Sequence, residues 1–153
     1  RIANELTGFG YRHVTGVDPS SAMIDRGQEL FPCLNLVHAS ERALPFDDGS
    51  FDAVVACAVF TCITAAETRT TAISEICRVL KQDGQFHLAE FCADNSYEFN
   101  SAFCVRMRYR SPEELNEMLD PLRVISNRVR QTETMSGRRA RSFLAFARKS
   151  LNK

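Results

Sequence analysis

One short stretch, His13-Val14-Thr15-Gly16-Val17-Asp18-Pro19-Ser20, places an acidic residue where a buried-type strand gives way to a helix. A carboxylate there offers two oxygens to two neighbouring hydroxyls. In nucleotide-binding α/β sheets this position takes the 2′-OH and 3′-OH of a ribose, so Asp18 is the first candidate binding residue. The remaining chemistry-bearing residues group less tightly. The histidines, His13, His38 and His87, and the six cysteines, Cys33, Cys57, Cys62, Cys77, Cys92 and Cys104, lack the spacing of metal ligands. No metal is expected. The cysteines read as free thiols of a reducing cytoplasm, several of them in apolar runs where a thiol behaves as a small hydrophobe. His13 reads as a surface residue, His38 as structural, and His87 as packing or facing solvent.

The elements that must position Asp18 follow from periodicity. Ile2, Leu6 and Phe9 lie at helical spacing ahead of Gly8 and Gly10, which suit a helix end. A strand around Val14–Val17 leads to Asp18 as helix cap and Pro19 in the first turn, and that helix stops before Pro32. Leu34–Val37 is a short strand. Asp48-Gly49 marks a tight turn. Residues 52–57 form a near-continuous apolar run, as in a parallel strand covered on both faces. Thr64 and Glu67 make a capping box for a helix that buries Ile73, Ile76, Cys77 and Leu80 and is closed by Asp83-Gly84. Phe86–Phe91 is the next strand. Residues 92–109 read as loop with some helix. Ser111-Pro112-Glu113-Glu114 is a second capping box, opening a helix that buries Leu115, Met118 and Leu119. Strands at 122–129 and 143–148, joined by a polar loop containing Ser136-Gly137, are expected to be antiparallel.

Composition sets the bounds. The chain has 153 residues, 44% hydrophobic and 25% charged, which is ordinary for one soluble domain with a real core. No apolar run reaches the ~20 residues of a membrane span. Formal net charge is zero, yet residues 1–104 hold 7 basic against 14 acidic residues, and 105–153 hold 12 against 5. A basic half can face an anionic substrate or nucleic acid, or simply form a solvated surface that attracts the acidic half. Arg106, Arg108 and Arg110 alternate, so in an extended segment they share one side. Arg138, Arg139 and Arg141 crowd the last loop. Either group could hold a phosphate or carboxylate. Nucleic acid is disfavoured, because no aromatic residues interleave a basic stripe.

The order strand, helix, strand, loop, strand, helix, strand, helix, antiparallel pair resembles the class I S-adenosylmethionine-dependent methyltransferases of the type 11 kind. Three stretches carry the likeness: VTGVDPSSAMI, HASERALPFDDGSFDAVVA and EICRVLKQDGQFHL. The resemblance implies an α/β, Rossmann-like three-layer sandwich, with a mostly parallel sheet and an antiparallel C-terminal strand, as a single domain over 1–153. It implies S-adenosylmethionine as cofactor. Asp18 then binds the ribose, Pro19 and Met23 lie against the adenine, Ser40 and Glu41 serve the adenine edge, and Cys57 approaches the sulfonium. Acceptor-side candidates are Phe60, Thr61, Cys62, Glu90, Asp94, Asn95 and Tyr97, with Glu90 the candidate for a catalytic role. The family's first strand and glycine-rich loop are missing, so the domain is incomplete. A fragment of a longer protein is expected, and the exposed sheet edges suit a homo-oligomer. The expected function is methyl transfer to a small molecule in the cytoplasm. The alternatives are a non-catalytic methyltransferase-like binding or scaffold domain, and an NAD-binding dehydrogenase, whose ribose an acid after the second strand also suits.

Overall fold

The computed structural model describes residues 1–150 apart from 103, 135 and 136. The described chain divides into two compact units, Arg1–Pro45 and the residues from Phe46 on. The strands fall into three sheets, with parallel and antiparallel pairs mixed.

The first unit holds α1 (Ile2–Gly8), β1 (Thr15–Asp18), α2 (Ser21–Leu30) and β2 (Asn35–His38). β1 and β2 pair in parallel with Asp18 opposite His38. Parallel strands need a crossover, and α2 supplies it. The cap of α2 is two residues later than the sequence pattern predicts. Ser20 is the N-cap and accepts from the Met23 N–H at 3.4 Å, while Asp18 Oδ1 accepts from the Ser20 N–H at 2.9 Å. Pro19 therefore lies ahead of the helix, and Asp18 braces the turn as the last residue of the strand. Leu36 explains two glycines. A Cβ on Gly16 would stand 2.7 Å from one Leu36 methyl, and a Cβ on Gly27 2.6 Å from the other. A Cβ at either position would force Leu36 to shift, so α2 closes directly onto the strand pair.

The second unit is built on β3 (Phe51–Cys57), α3 (Ala66–Val79), β4 (Leu80–Cys92), α4 (Pro112–Glu117), β7 (Arg123–Glu133) and β8 (Arg139–Arg148). Its sheet runs β3-β4-β8-β7, with β3–β4 parallel and β4–β8 and β8–β7 antiparallel, as the two closing strands lead one to expect. Even-numbered residues of β4, Phe86, Leu88 and Cys92, point to the face that α3 and α4 cover, where they join Ala56, Ile73, Ile76, Leu80, Leu115, Leu119 and Phe143 in one core. The opposite face stays open. Ala53, Val55 and Cys57 on β3 are exposed, so this strand is covered on one face rather than two. α3 starts at Ala66 with Ala65 as its cap and no side-chain cap bond, so the predicted Thr64 box does not form. Ser111 does cap α4, accepting from the Glu114 N–H at 3.2 Å.

Two segments differ from the pattern-based reading. Leu80 begins β4 instead of ending α3, and Asp83-Gly84 lies within the strand at a register shift. Asp83 has φ 60°, and a Cβ on Gly84 would sit 2.7 Å from the Lys81 carbonyl oxygen, so the irregularity needs a glycine. Residues 92–109 contain no helix among those described. They form a hairpin, β5 (Tyr97–Asn100) against β6 (Arg106–Tyr109). Of the last predicted loop, Gly137 has φ 75°, and Ser136 lies outside the described residues. No disulfide joins any of the six cysteines among the described residues.

Candidate functional site

The first unit brings five predicted residues to one end of one strand pair. Asp18 and His38 are the final residues of β1 and β2, Pro19 follows Asp18, Ser40 and Glu41 follow His38, and Met23 lies in the first turn of α2. Carboxyl ends of parallel strands are where ligands bind in open α/β sheets. Asp18 is half-buried and spends Oδ1 on the Ser20 N–H, while Oδ2 has no partner among the described residues. That oxygen is left to receive a hydroxyl. The His38 ring bonds the Pro19 carbonyl at 3.0 Å through Nε2, which must therefore carry the proton. The histidine thus fixes the Pro19 backbone, and it is structural, as expected. Ser40 Oγ accepts from the Arg42 N–H at 3.2 Å and faces Glu41 Oε2 at 3.5 Å. Met23 is 60% exposed, which leaves its thioether face open to a flat apolar ligand.

The second unit carries Cys57, exposed at the end of β3, and the acceptor-side candidates. Glu90 is the surprise. It has the parity of Leu88 and Cys92, so its side chain turns inward, and it is 1% exposed. Oε1 accepts from the N–H groups of Val59 at 2.7 Å and Phe60 at 2.9 Å, and Oε2 from the Thr61 N–H at 2.9 Å and the Thr61 hydroxyl at 2.7 Å. A carboxylate has about four lone-pair sites, and all are engaged. Burial pushes this carboxyl above its ordinary range, and the Thr61 hydroxyl and three amides pull it part of the way back. Such a group anchors a loop and has no free oxygen with which to take a substrate proton.

The arginines predicted to share one side are committed to this unit. Arg106 bonds Glu98, and Arg108 pairs with Glu114 at 2.8 Å and lies 3.8 Å from Glu98. Arg110 is 2% exposed and donates to the Phe60 and Ile63 carbonyls, both at 2.6 Å. Burial and the neighbouring Arg69 and Arg108 push its guanidinium below the usual range. Arg141 pairs with Asp94, while Arg138 and Arg139 are exposed. Asn95 and Tyr97 are exposed, and Tyr97 packs on Tyr109 and Phe99. A hollow of about 430 Å³ lies on the open sheet face beside Val55, His87, Arg128, Leu144 and Phe146, away from these residues. Sequence reasoning grouped Arg110 with Arg106 and Arg108 as an anion holder and missed that it is buried on two backbone carbonyls, which alternation alone does not signal. Among the described residues no cluster could hold a metal, and no helix is long and apolar enough to cross a membrane.

Asp18 ends β1 with an open oxygen, and Ser40 and Glu41 follow the end of β2, which is where nucleoside ligands are met in open α/β sheets. The chain belongs to the Methyltransferase domain family, which matches residues 1–88. That match decides between methyltransferase and dehydrogenase, and S-adenosylmethionine is the cofactor that goes with the family. The chain is 33% identical over 79 residues to the ubiquinone/menaquinone biosynthesis C-methyltransferase UbiE of Campylobacter jejuni, covering 52% of this chain and 32% of that protein. It is also 33% identical over 125 residues to cycloartenol-C-24-methyltransferase 1 of Oryza sativa subsp. japonica, covering 78% of this chain and 35% of the relative. It spans about a third of the length of these relatives. A SAM-dependent methyltransferase from Methanosarcina mazei shares the fold with a TM-score of 0.84 at 24% identity, covering 97% of this chain and 87% of the other. The 1,6-didemethyltoxoflavin-N1-methyltransferase of Burkholderia thailandensis, crystallised with its namesake ligand and S-adenosylhomocysteine, follows at 0.76 and 18% identity, covering 98% and 66%.

Proposed function

We propose that this chain is part of an S-adenosylmethionine-dependent methyltransferase acting on a small molecule, working as a single domain with its cofactor at the carboxyl ends of the parallel strands. The observation that carries this reading is Asp18, which keeps Oδ2 open where a ribose hydroxyl must be received. Pro19 and Met23 offer an apolar face to the adenine, and the Ser40 hydroxyl and the Glu41 backbone serve its polar edge. Cys57 is exposed at the end of β3. When bound, the cofactor supplies an activated methyl group. The chain's own residues need to hold the acceptor in line with it, and placement supplies much of the rate. The named relatives act on small molecules by their titles, which supports a small acceptor here. The uncovered β3 edge suits association with a second copy. We place the protein in the cytoplasm, where free thiols persist.

Calorimetric titration of S-adenosylhomocysteine tests the site. The wild-type chain is expected to bind, and Asp18→Ala to lose about tenfold or more in affinity, because a ribose loses a charge-assisted hydrogen bond. Equal affinity for both proteins overturns the assignment.

A further inference from the structure

Residues 58–63 of the loop between β3 and α3 are bound by their backbone more completely than a surface connection requires. Ala58 leaves the strand at φ 55° and its N–H bonds the Ala89 carbonyl at 2.8 Å. The next three N–H groups point together into the Glu90 carboxylate. Successive amides turned to one side form an anion-binding concavity, and here the chain fills it with its own acid. The last two N–H groups close on the Val59 and Phe60 carbonyls at 3.0 and 3.2 Å. From the other side Arg110 takes the Phe60 and Ile63 carbonyls, and the Arg108 N–H takes the Thr61 carbonyl at 2.9 Å. Phe60 therefore gives its N–H to a buried anion and its carbonyl to a buried cation.

Burying both charges is costly. A connection needed only to join two elements is served by water and by turns of its own. What the grip decides is orientation. Phe60, Thr61 and Ile63 turn inward at 0%, 1% and 9% exposure, and Val59 and Cys62 turn outward. The loop leaves the carboxyl end of β3, immediately after Cys57. We propose that Glu90 and Arg110 are a positioning pair that grips the Phe60 peptide from both sides and thereby presents Val59 and Cys62 as a fixed wall to a ligand at the carboxyl end of β3. The assignment rests on the methyltransferase reading for its ligand, and on this chain's bonds for the grip. Glu90 acts through the loop and touches no substrate.

The test compares wild type, Glu90→Gln, Thr61→Val, Arg110→Lys and a control, Val79→Ala, which removes core contacts on α3 without touching the loop. Two quantities are read: amide exchange at Val59, Phe60 and Thr61, and affinity for S-adenosylhomocysteine. An amide in place of the carboxylate sets N–H against N–H, so Glu90→Gln is expected to raise exchange at these amides about tenfold and to weaken ligand binding about tenfold. Arg110→Lys cannot span both carbonyls and behaves similarly. Thr61→Val removes one of four bonds, gives a smaller change in the same direction, and serves where Glu90→Gln does not fold. Val79→Ala lowers thermal stability with both readouts unchanged. Unchanged exchange in Glu90→Gln and Thr61→Val overturns the grip. Raised exchange with the control's affinity overturns the positioning role and leaves a structural one. A wild-type chain that binds no S-adenosylhomocysteine overturns the methyltransferase reading and the wall with it, and exchange then reports on the grip alone.

Discussion

The two units of this chain use similar sequence patterns to different depths. In Arg1–Pro45, α1 buries no residue and Ile24 is the single core hydrophobe, 7% exposed. Phe9, Tyr11, Met23 and Leu30 are 81%, 62%, 60% and 53% exposed. In the second unit, α3 alone buries Ala72, Ile73, Ile76 and Val79, and β4 seals Phe86 and Leu88 against it. Helical spacing of apolar residues is present in both. Burial is earned only where a sheet of several strands lies under the helix, because two short strands cannot cover a helical face. Asp18 thus lies in the thinly packed unit, and the clamped loop in the thickly packed one.

Three measurements sharpen or break this contrast, from the largest effect to the smallest. Phe86→Ala empties a fully buried site and is expected to cost about 3–5 kcal/mol in denaturant unfolding. A loss below about 1 kcal/mol would show the second core to be no better packed than the first. Next, Gly27→Ala drives a Cβ into Leu36, which Gly16 holds from the other side. Overpacking there is expected to cost about 1–3 kcal/mol, despite alanine's better helix propensity. Pairing it with Leu36→Val is expected to restore part of the loss. Exchange of the β1–β2 amides reports it, with the β4–β8 ladder unchanged; a loss spread evenly over both ladders would erase the distinction between the units. The smallest effect belongs to His87. Its ring stacks on Phe146 at 4.9 Å, and burial lowers its pKa from the ordinary 6.5. The unfolded imidazole then binds a proton that the folded one resists. Stability is full above about pH 6.5 and declines as pH falls below it. His87→Gln is expected to flatten that decline. An identical pH profile for both proteins would show that stacking on Phe146 leaves the imidazole fully solvated.

Much of the fold was legible because it is written locally. The hydroxyl–proline–acid order at Ser111 makes a cap wherever it occurs, and the structure forms it. The run ending at Asp18 is short, apolar and followed by helix formers, so the strand, the acid and the helix come out in order. The misreadings fall where distant partners compete with local pattern. Leu80 fits the helical stripe of α3, yet it pairs opposite Phe51 in the sheet. Tyr97 and Phe99 alternate too briefly to declare a strand until β6 lies opposite them.

By itself, the sequence determined the family, the order of the main helices and strands and the placing of Asp18 at a strand end, since each depends on residue types at short spacing. The tertiary structure decided what Glu90 and Arg110 are for. Both read as polar residues beside apolar runs, and from sequence an acid ending a strand is as good a proton acceptor as a loop anchor. Only the parity of β4 and the return of the chain after β6 turn one charge beneath Val59–Thr61 and the other onto Phe60 and Ile63. Burial and hydrogen-bond saturation are properties of what folds back on a residue, and those partners lie 29 to 50 positions away.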